Sequence, residues 1–557
     1  MASITRRQFA RLAGTGALSL SLGGVLAGCA GGAGSSAGAG ASSGGAAGSA
    51  ADGVRSSQVI VSMTPGSEPA AGFDPLVSWG CGEHVHEPLI QSTLITTDVD
   101  LNFQNDLATS YECSEDGLTW TFSIRDDVRF SDGQPLTARD VAFTINGIIG
   151  SAASECDLSM VREAVAADDA TVVVHMKKPF NALLYTLAVV GIVPEHAYGE
   201  GYGENPVGSG RYLLEQWDRG QQVILRANPD YYGEAPKMDR VVVVFMEEDA
   251  SLAAAQSGQV DVAYTAATYA ANQPAGYDLL NCASVDSRGI SLPCVPAGGT
   301  KTQQDDMSYP AGNDVTCDLA VRQAINYGVD RQRMIDNVLN GYGTAAYSVA
   351  DGMPWSSPDM RCETDAGKAR QLLDDAGWAA GADGVREKDG VRAALNLYYP
   401  AGDSVRQAIA AEFANQMAEL GIEVSPKGAS WDDLYPHQFS DPVVWGWGTN
   451  APVETYNLFY SQGTGNYACF QNASTDAYLD EALARPQVED SFELWRKAQW
   501  DGAEGFAPQG DAPWVWLANV DHLYFAREGL EVAEQKPHPH GHGWSLVNNV
   551  DQWSWRG

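Results

Sequence analysis

The sequence predicts an α/β body built from more than one folding unit, on three observations. Segments of strand character alternate with segments of helical periodicity along most of the chain. About 500 residues follow a low-complexity N-terminal stretch, more than one hydrophobic core accommodates. The N-terminus itself has the parts of an export signal, which sets this body outside the cytoplasm.

Thr5-Arg6-Arg7-Gln8-Phe9 places paired arginines ahead of an apolar stretch from Leu12 to Leu26, a pattern pointing to the Tat route. The stretch is too short and Gly-rich for a membrane span, which needs about 20 apolar residues. It ends in Leu26-Ala27-Gly28-Cys29, which resembles a bacterial lipobox and implies a lipidated Cys29 as mature N-terminus. From Ala30 to Gly53 the chain is almost pure Ala, Gly and Ser. Such a tether is a flexible coil spanning roughly 25–30 Å.

The formal charge of −37 is spread along the chain. It argues against nucleic acid, whose binding needs basic patches, and suits a body that must not adhere to anionic headgroups. Eight cysteines remain once Cys29 is set aside: Cys81, Cys113, Cys156, Cys282, Cys294, Cys317, Cys362 and Cys469. An even number outside the cytoplasm makes disulfides an expectation, with Cys282 and Cys294 a candidate pair by proximity in sequence. No Cys-x-x-Cys occurs, which argues against a zinc ribbon or thioredoxin-like pair.

The body opens with a strand over Gln58–Met63, closed by Thr64-Pro65-Gly66. Asp116-Gly117 marks a hairpin turn, after which Leu118, Trp120, Phe122 and Ile124 alternate with polar residues as in a half-buried strand. Thr137 with Asp140 resembles a capping box opening a helix from Ala138 to Ile149. Further strands are expected at Thr171–Met176, Gln222–Ala227 and Arg240–Met246. From about Asp314 helices and strands alternate: a helix from Asp318 to Leu339, another over Lys368–Leu373, a strand at Ala394–Tyr399, a helix at Ser404–Leu420, and a strand from Gly421. That order predicts a substantially parallel sheet. Trp514–Leu517 and Leu523–Phe525 return to strand character.

Several segments together resemble family 5 of the ABC-importer substrate-binding proteins, the peptide and nickel binders. Ser114-Glu115-Asp116-Gly117-Leu118-Thr119-Trp120-Thr121-Phe122, Arg125 to Gly133 and Asp140-Val141-Ala142-Phe143 are similar to its N-terminal signature. Val207-Gly208-Ser209-Gly210-Arg211-Tyr212, Asn228-Pro229-Asp230-Tyr231-Tyr232-Gly233, Val321 to Tyr327 and Leu372 to Trp378 follow in the family's order. The resemblance implies a two-lobed periplasmic-binding-protein-like fold of type II, whose lobes close on a ligand about a hinge. On this basis the chain divides into a signal at 1–29, a tether at 30–57, a first lobe at 58–305 with an inserted subdomain at about 90–205, a second lobe at 306–514 and a return to the first lobe at 515–557. A membrane permease and a cytoplasmic ATPase are the implied partners of a monomeric, lipid-anchored protein on the periplasmic side or outer surface. The cargo is a short peptide or nickel, free or chelated, and no cofactor is implied.

Trp445-Gly446-Trp447-Gly448-Thr449-Asn450-Ala451-Pro452-Val453-Glu454 resembles the family's second-lobe cleft segment. Peptide binders of this kind often carry an aspartate just after Gly-Trp to pair with an α-ammonium. Thr449 and Asn450 occupy that neighbourhood here, and Glu454 is the nearest acid. Trp445 and Trp447 are ligand walls, or one of them is a core aromatic. In the first lobe Trp79 faces the cleft by resemblance. Arg211 stands where the family usually has proline, so its guanidinium is a candidate fork for a ligand carboxylate. Two His clusters are metal candidates: His84 with His86, and His538, His540 and His542. Rival classes are a secreted hydrolase and a lipoprotein that reports ligand to a membrane receptor. No Gly-x-Ser-x-Gly elbow or His-Glu-x-x-His helix supports the first.

Overall fold

The strand Gln58–Met63 lies between two parallel neighbours, Arg240–Phe245 and Val262–Thr265, and organises the larger of two principal sheets. The computed structural model describes residues 57–556 apart from 79, 82–83, 152, 304–306 and 541–542. Seven strands run in the order Tyr212–Asp218, Gln222–Ala227, Arg240–Phe245, Gln58–Met63, Val262–Thr265, His522–Arg527, Tyr277–Cys282. Val59, Val61, Val241 and Val243 are buried on one face against Trp544, Leu546 and Trp553. Ala263 and Phe525 pack on the other face with Ala254 and Ala255 of the helix Glu248–Gln256. Covering both faces explains the run of β-branched residues in these strands.

The second sheet is antiparallel, in the order Gly343–Ala345, Trp514–Val520, Ser287–Ser291, Val444–Trp447. Ile290, Val444, Val515 and Leu517 form its apolar face and share a core with Val321, Ile325 and Met334. The parallel pairing expected after Asp314 is present in the pair Ala394–Pro400 and Glu423–Ala429, with the helix Ser404–Ala418 between them. It does not extend to the four-stranded sheet. Those strands come from four distant stretches of chain, and local periodicity carries no information on such pairing.

A third sheet joins Ala108–Cys113, Thr119–Ile124, Thr171–Met176 and Val161–Ala166, all antiparallel. Trp120, Phe122 and Ile124 are buried as the alternation predicts, whereas Leu118 in the turn is exposed. The helix Ala138–Gly150 begins with the expected capping box: Thr137 N–H donates to Asp140 Oδ2 at 2.9 Å. The single helix expected over Asp318–Leu339 is two, Leu319–Gly328 and Arg331–Val338. Asp330 breaks it by capping Arg333 N–H at 2.9 Å, while its own N–H donates to Gln416 at 2.7 Å.

The chain passes between the two principal sheets twice. The first crossover runs from Cys282 to Ser287 and the second from Val520 to His522. Cys282 and Cys294 therefore belong to opposite sides of the first crossover and are not bonded to each other. No helix among the described residues is long and apolar enough to cross a membrane. Cys29, with the signal and tether, lies outside the described residues.

Candidate ligand-binding site

Side chains alternate across a strand, so register decides which residues share a face. In the four-stranded sheet Ser287 pairs with Trp447 and Gly289 with Trp445 on one flank. On the other flank Gly289 pairs with Trp516 and Ser291 with Trp514. The central strand thus offers Ser, Gly and Ser, and its neighbours offer four tryptophans on the same face. A bulge opposite Arg288–Gly289 returns Asn519 to this face, where Ser287 Oγ donates to Asn519 Oδ1 at 2.8 Å. A Cβ at Gly289 would lie 2.5 Å from the Trp516 ring, so glycine is needed for that ring to lie over the central strand.

The aromatic walls are held by specific contacts. Trp445 stacks on Tyr467 at 4.2 Å and donates its indole N–H to Ser291 Oγ at 3.1 Å. Trp514 and Trp516 stack at 4.9 Å and 7°. Their two indole N–H groups are buried without a hydrogen-bond partner among the described residues. Buried donors of this kind are costly unless a ligand or water completes them.

At the end of the wall Gly448 leads into a turn that Thr449 closes on itself, Oγ1 donating to Ala451 O at 3.1 Å. Asn450 Nδ2 donates to Pro537 O at 3.4 Å, and its Oδ1 is buried and unpartnered among the described residues. Glu454 opens the helix Val453–Phe459 and is 6 % exposed. Its Oε1 accepts from Gly448 N–H at 3.4 Å and its Oε2 has no described partner. Burial pushes the Glu454 carboxyl up to about 8, with the charge of Asp286 adding to the effect.

On the opposite face, beneath Gly446, lies a buried ionic cluster. Asp286 accepts from both terminal nitrogens of Arg288, from His522 Nε2 at 2.9 Å and from His540 Nδ1 at 2.6 Å. His522 Nδ1 faces His538 Nδ1 at 3.1 Å, so one proton serves that pair. Complete burial opposes ionisation of Asp286, yet Arg288 and His540 hold its carboxyl well below the usual range. A Cβ at Gly446 would stand 2.5 Å from His540 and 2.8 Å from Arg288, so this glycine makes room for the cluster.

Trp445, Trp447, Thr449, Asn450 and Glu454 are thus brought together along one sheet edge, and Trp514, Trp516 and Ser287 join them. The last three were not assigned from sequence. A second Trp-x-Trp in a strand segment was the available signal for the tryptophans, but only register makes the two pairs neighbours. Arg211 is elsewhere. Its Nη1 donates to Asp551 Oδ1 at 2.8 Å, so the chain itself supplies the carboxylate. It lines a cavity of about 610 Å³ whose wall includes none of residues 445–454. His538 and His540 are committed to the Asp286 cluster, and His86 is buried close by. Burial, with the charges of His540 and His522, pulls His86 down to about 4. No group of three or more His, Cys, Asp or Glu side chains among the described residues is placed to hold a metal ion. Trp79, His542 and the side chain of His84 lie outside the described residues.

Two principal α/β sheets joined by two crossovers define a two-lobed fold of the periplasmic-binding-protein type. Comparison with known proteins agrees. Residues 102–468 match the model for bacterial extracellular solute-binding proteins, family 5 Middle. The chain is 32 % identical over 453 residues to Protein XP55 of Streptomyces lividans, covering 77 % of this chain and 79 % of that protein. It is 28 % identical over 501 residues to the oligopeptide-binding protein AppA of Bacillus subtilis, covering 84 % and 86 %. Among solved structures, NikZ from Campylobacter jejuni in complex with Ni(L-His) superposes with a TM-score of 0.75 at 22 % identity, over 90 % of this chain and 99 % of that one. The chain belongs to family 5 of the bacterial extracellular solute-binding proteins.

Proposed function

We propose that the protein captures a short peptide or an amino-acid chelate of nickel on the tryptophan face and delivers it to an ABC permease driven by its ATPase. The unpartnered polar groups carry this reading. Indole N–H donors at Trp514 and Trp516 and acceptor oxygens at Asn450 and Glu454 frame an aromatic wall. An amino-acid-like solute has carboxylate oxygens for the donors, ammonium hydrogens for the acceptors and a flat or apolar body for the rings. The AppA relative is an oligopeptide-binding protein, and NikZ holds nickel as its histidine complex. Nickel would arrive wrapped in such a chelator, since no described side-chain group is placed to hold the bare ion.

On this reading the lobes divide at the crossovers, near 284 and 521, whereas the sequence alone puts the divisions at 305–306 and 514–515. The pairing of Ser287–Ser291 with Val444–Trp447 on one side and Trp514–Val520 on the other supports placing both strands in the second lobe. Closure rotates one lobe on the other about these two segments. Export through the Arg6-Arg7 signal and lipidation at Cys29 anchor the protein at the outer face of the membrane, with 30–57 as tether.

Titration calorimetry with a random tripeptide pool, with nickel alone and with nickel plus histidine tests the cargo. Saturable binding of the pool or of the nickel–histidine mixture is expected. Binding of nickel alone, or of none of the three, overturns this reading. For the anchor, Cys29→Ala should move the protein from membrane to soluble fraction; continued membrane association contradicts lipidation.

A further inference from the structure

Cys294, Cys317 and Cys469 converge beside the tryptophan face from three separate segments. The Cys294 N–H donates to Ala468 O at 2.7 Å. A main-chain bond of that length sets two backbones at about the strand spacing of 4.7–4.9 Å. Cys469 follows Ala468 directly and is among the groups whose charge acts on Cys294, so the two cysteines stand on adjacent backbones, the arrangement that a disulfide's Cα separation of about 4.4–6.8 Å requires. Cys469 stands at φ 50°, in the left-handed region, which a side-chain-bearing residue occupies where its surroundings over-determine it. Asn466 provides that constraint, accepting from Phe470 N–H at 2.9 Å and donating to Phe470 O at 2.8 Å. Cys317 is held in its own turn, its thiol donating to Asp314 O at 3.5 Å.

We propose that Cys294 and Cys469 are joined as a disulfide in the exported protein, and that this bond fixes the Tyr467 wall of the ligand face. Tyr467, two residues before Cys469, stacks on Trp445. Ser291, three residues before Cys294, accepts the Trp445 indole N–H. The bond therefore closes a loop through Ser291, Trp445 and Tyr467 and removes the freedom of both chains to separate.

The surroundings also say which sulfur reacts first. Burial pushes the Cys469 thiol up, but the Lys301 ammonium, anchored on Asn466 O at 2.7 Å, opposes that push. Burial pushes Cys294 up to about 12. The thiolate is the attacking species. Cys469 attacks the disulfide of an extracytoplasmic thiol oxidoreductase, displacing one of its sulfurs as a thiol. Cys294 then attacks Cys469 Sγ and displaces the second. Two protons and two electrons pass to the oxidoreductase, which leaves as a dithiol. Cys156 and Cys282 have acids and no other cysteine among the charges that act on them, and stay reduced.

Peptide mapping of the full chain, exported and alkylated without reduction, tests the bond and needs no ligand, so its outcome is independent of the cargo. The expected result is a Cys294 peptide joined to a Cys469 peptide, lighter by two hydrogens than their sum, with Cys156 and Cys282 alkylated. Alkylation of both Cys294 and Cys469, or a bond from either to Cys317, overturns the proposal. In Cys469→Ser, Cys294 should become alkylated. Reductant should shift the tryptophan emission of the wild type and leave that of Cys469→Ser unchanged. Identical responses from the two proteins would overturn the link to the Tyr467 wall.

Discussion

His522 Nε2 and Asp286 Oδ2 stand 2.9 Å apart, joining the two segments by which the chain crosses between its principal sheets. Each residue sits on a different crossover, so this bond ties the second to the first. Val520 N–H adds to it by donating to Asp286 O at 2.8 Å. Arg288 and His540 complete the carboxylate's shell, and Asp286 is the main counter-charge of Arg288, ahead of Asp403.

Asp286→Ala should therefore be among the most damaging single changes in the chain. Removing one partner of a buried ion pair leaves the other charge uncompensated, at a cost of about 3–5 kcal/mol. A fall in melting temperature of several degrees is expected by calorimetry. A variant that melts with the wild type would mean that the cluster carries no net stability.

Acid should weaken the fold through the buried histidines. His86, His538 and His540 all have folded-state values below the ordinary histidine value. The unfolded chain then binds protons that the folded chain refuses, so stability is full above the unfolded value and is lost as pH falls below it. For His86, lowered from 6.5 to about 4, the loss accumulates from about pH 6.5 down to about 4 and approaches roughly 3 kcal/mol. His86→Gln should flatten that limb of a stability–pH curve. An unchanged slope between pH 6.5 and 4 contradicts the assignment.

Glu454 acts with the opposite sign. Its carboxyl is raised from 4.5 to about 8, so its contribution is complete below 4.5 and fades as pH rises through 8. At neutral pH the group is mostly protonated. A ligand ammonium placed against it favours the carboxylate, so binding should release a proton near pH 7. Calorimetry in buffers of different ionisation enthalpy measures that proton directly, and Glu454→Gln should abolish it. Proton release that persists in the variant assigns the event to another group.

Gly289→Ala should disable the ligand face while the protein stays folded. Its Cβ would stand 2.5 Å from the Trp516 ring, and displacing that ring spoils the aromatic wall. Trp516→Ala and Trp447→Ala remove stacking area directly. A loss of at least about tenfold in affinity is expected for each, the scale of a buried aromatic anchor. Full affinity in all three variants would place the ligand on another surface.

Local order in this chain was legible because it is written in short-range chemistry. Thr137 and Asp140 cap their helix within a span of four residues, and Trp120, Phe122 and Ile124 alternate on one strand. The ordered family motifs carried the fold class for the same reason: each is a short local stretch of turn, strand or helix. The segment from Trp445 to Glu454 was likewise visible as one stretch. Other features depended on chain segments far apart in sequence. Whether Trp514 and Trp516 face Trp445 is decided by register across Ser287–Ser291, and a slip of one residue would turn every side chain to the opposite face. Arg211 looked available beside two glycines until Asp551, 340 positions away, closed on it. His538 and His540 were metal candidates in sequence, and the fold brings Asp286, Arg288 and His522 to them as partners around a buried carboxylate. Local sequence sets which backbone conformations and caps are favourable. The identity of a buried charge's partner is settled only when the fold removes water and leaves one neighbour within reach.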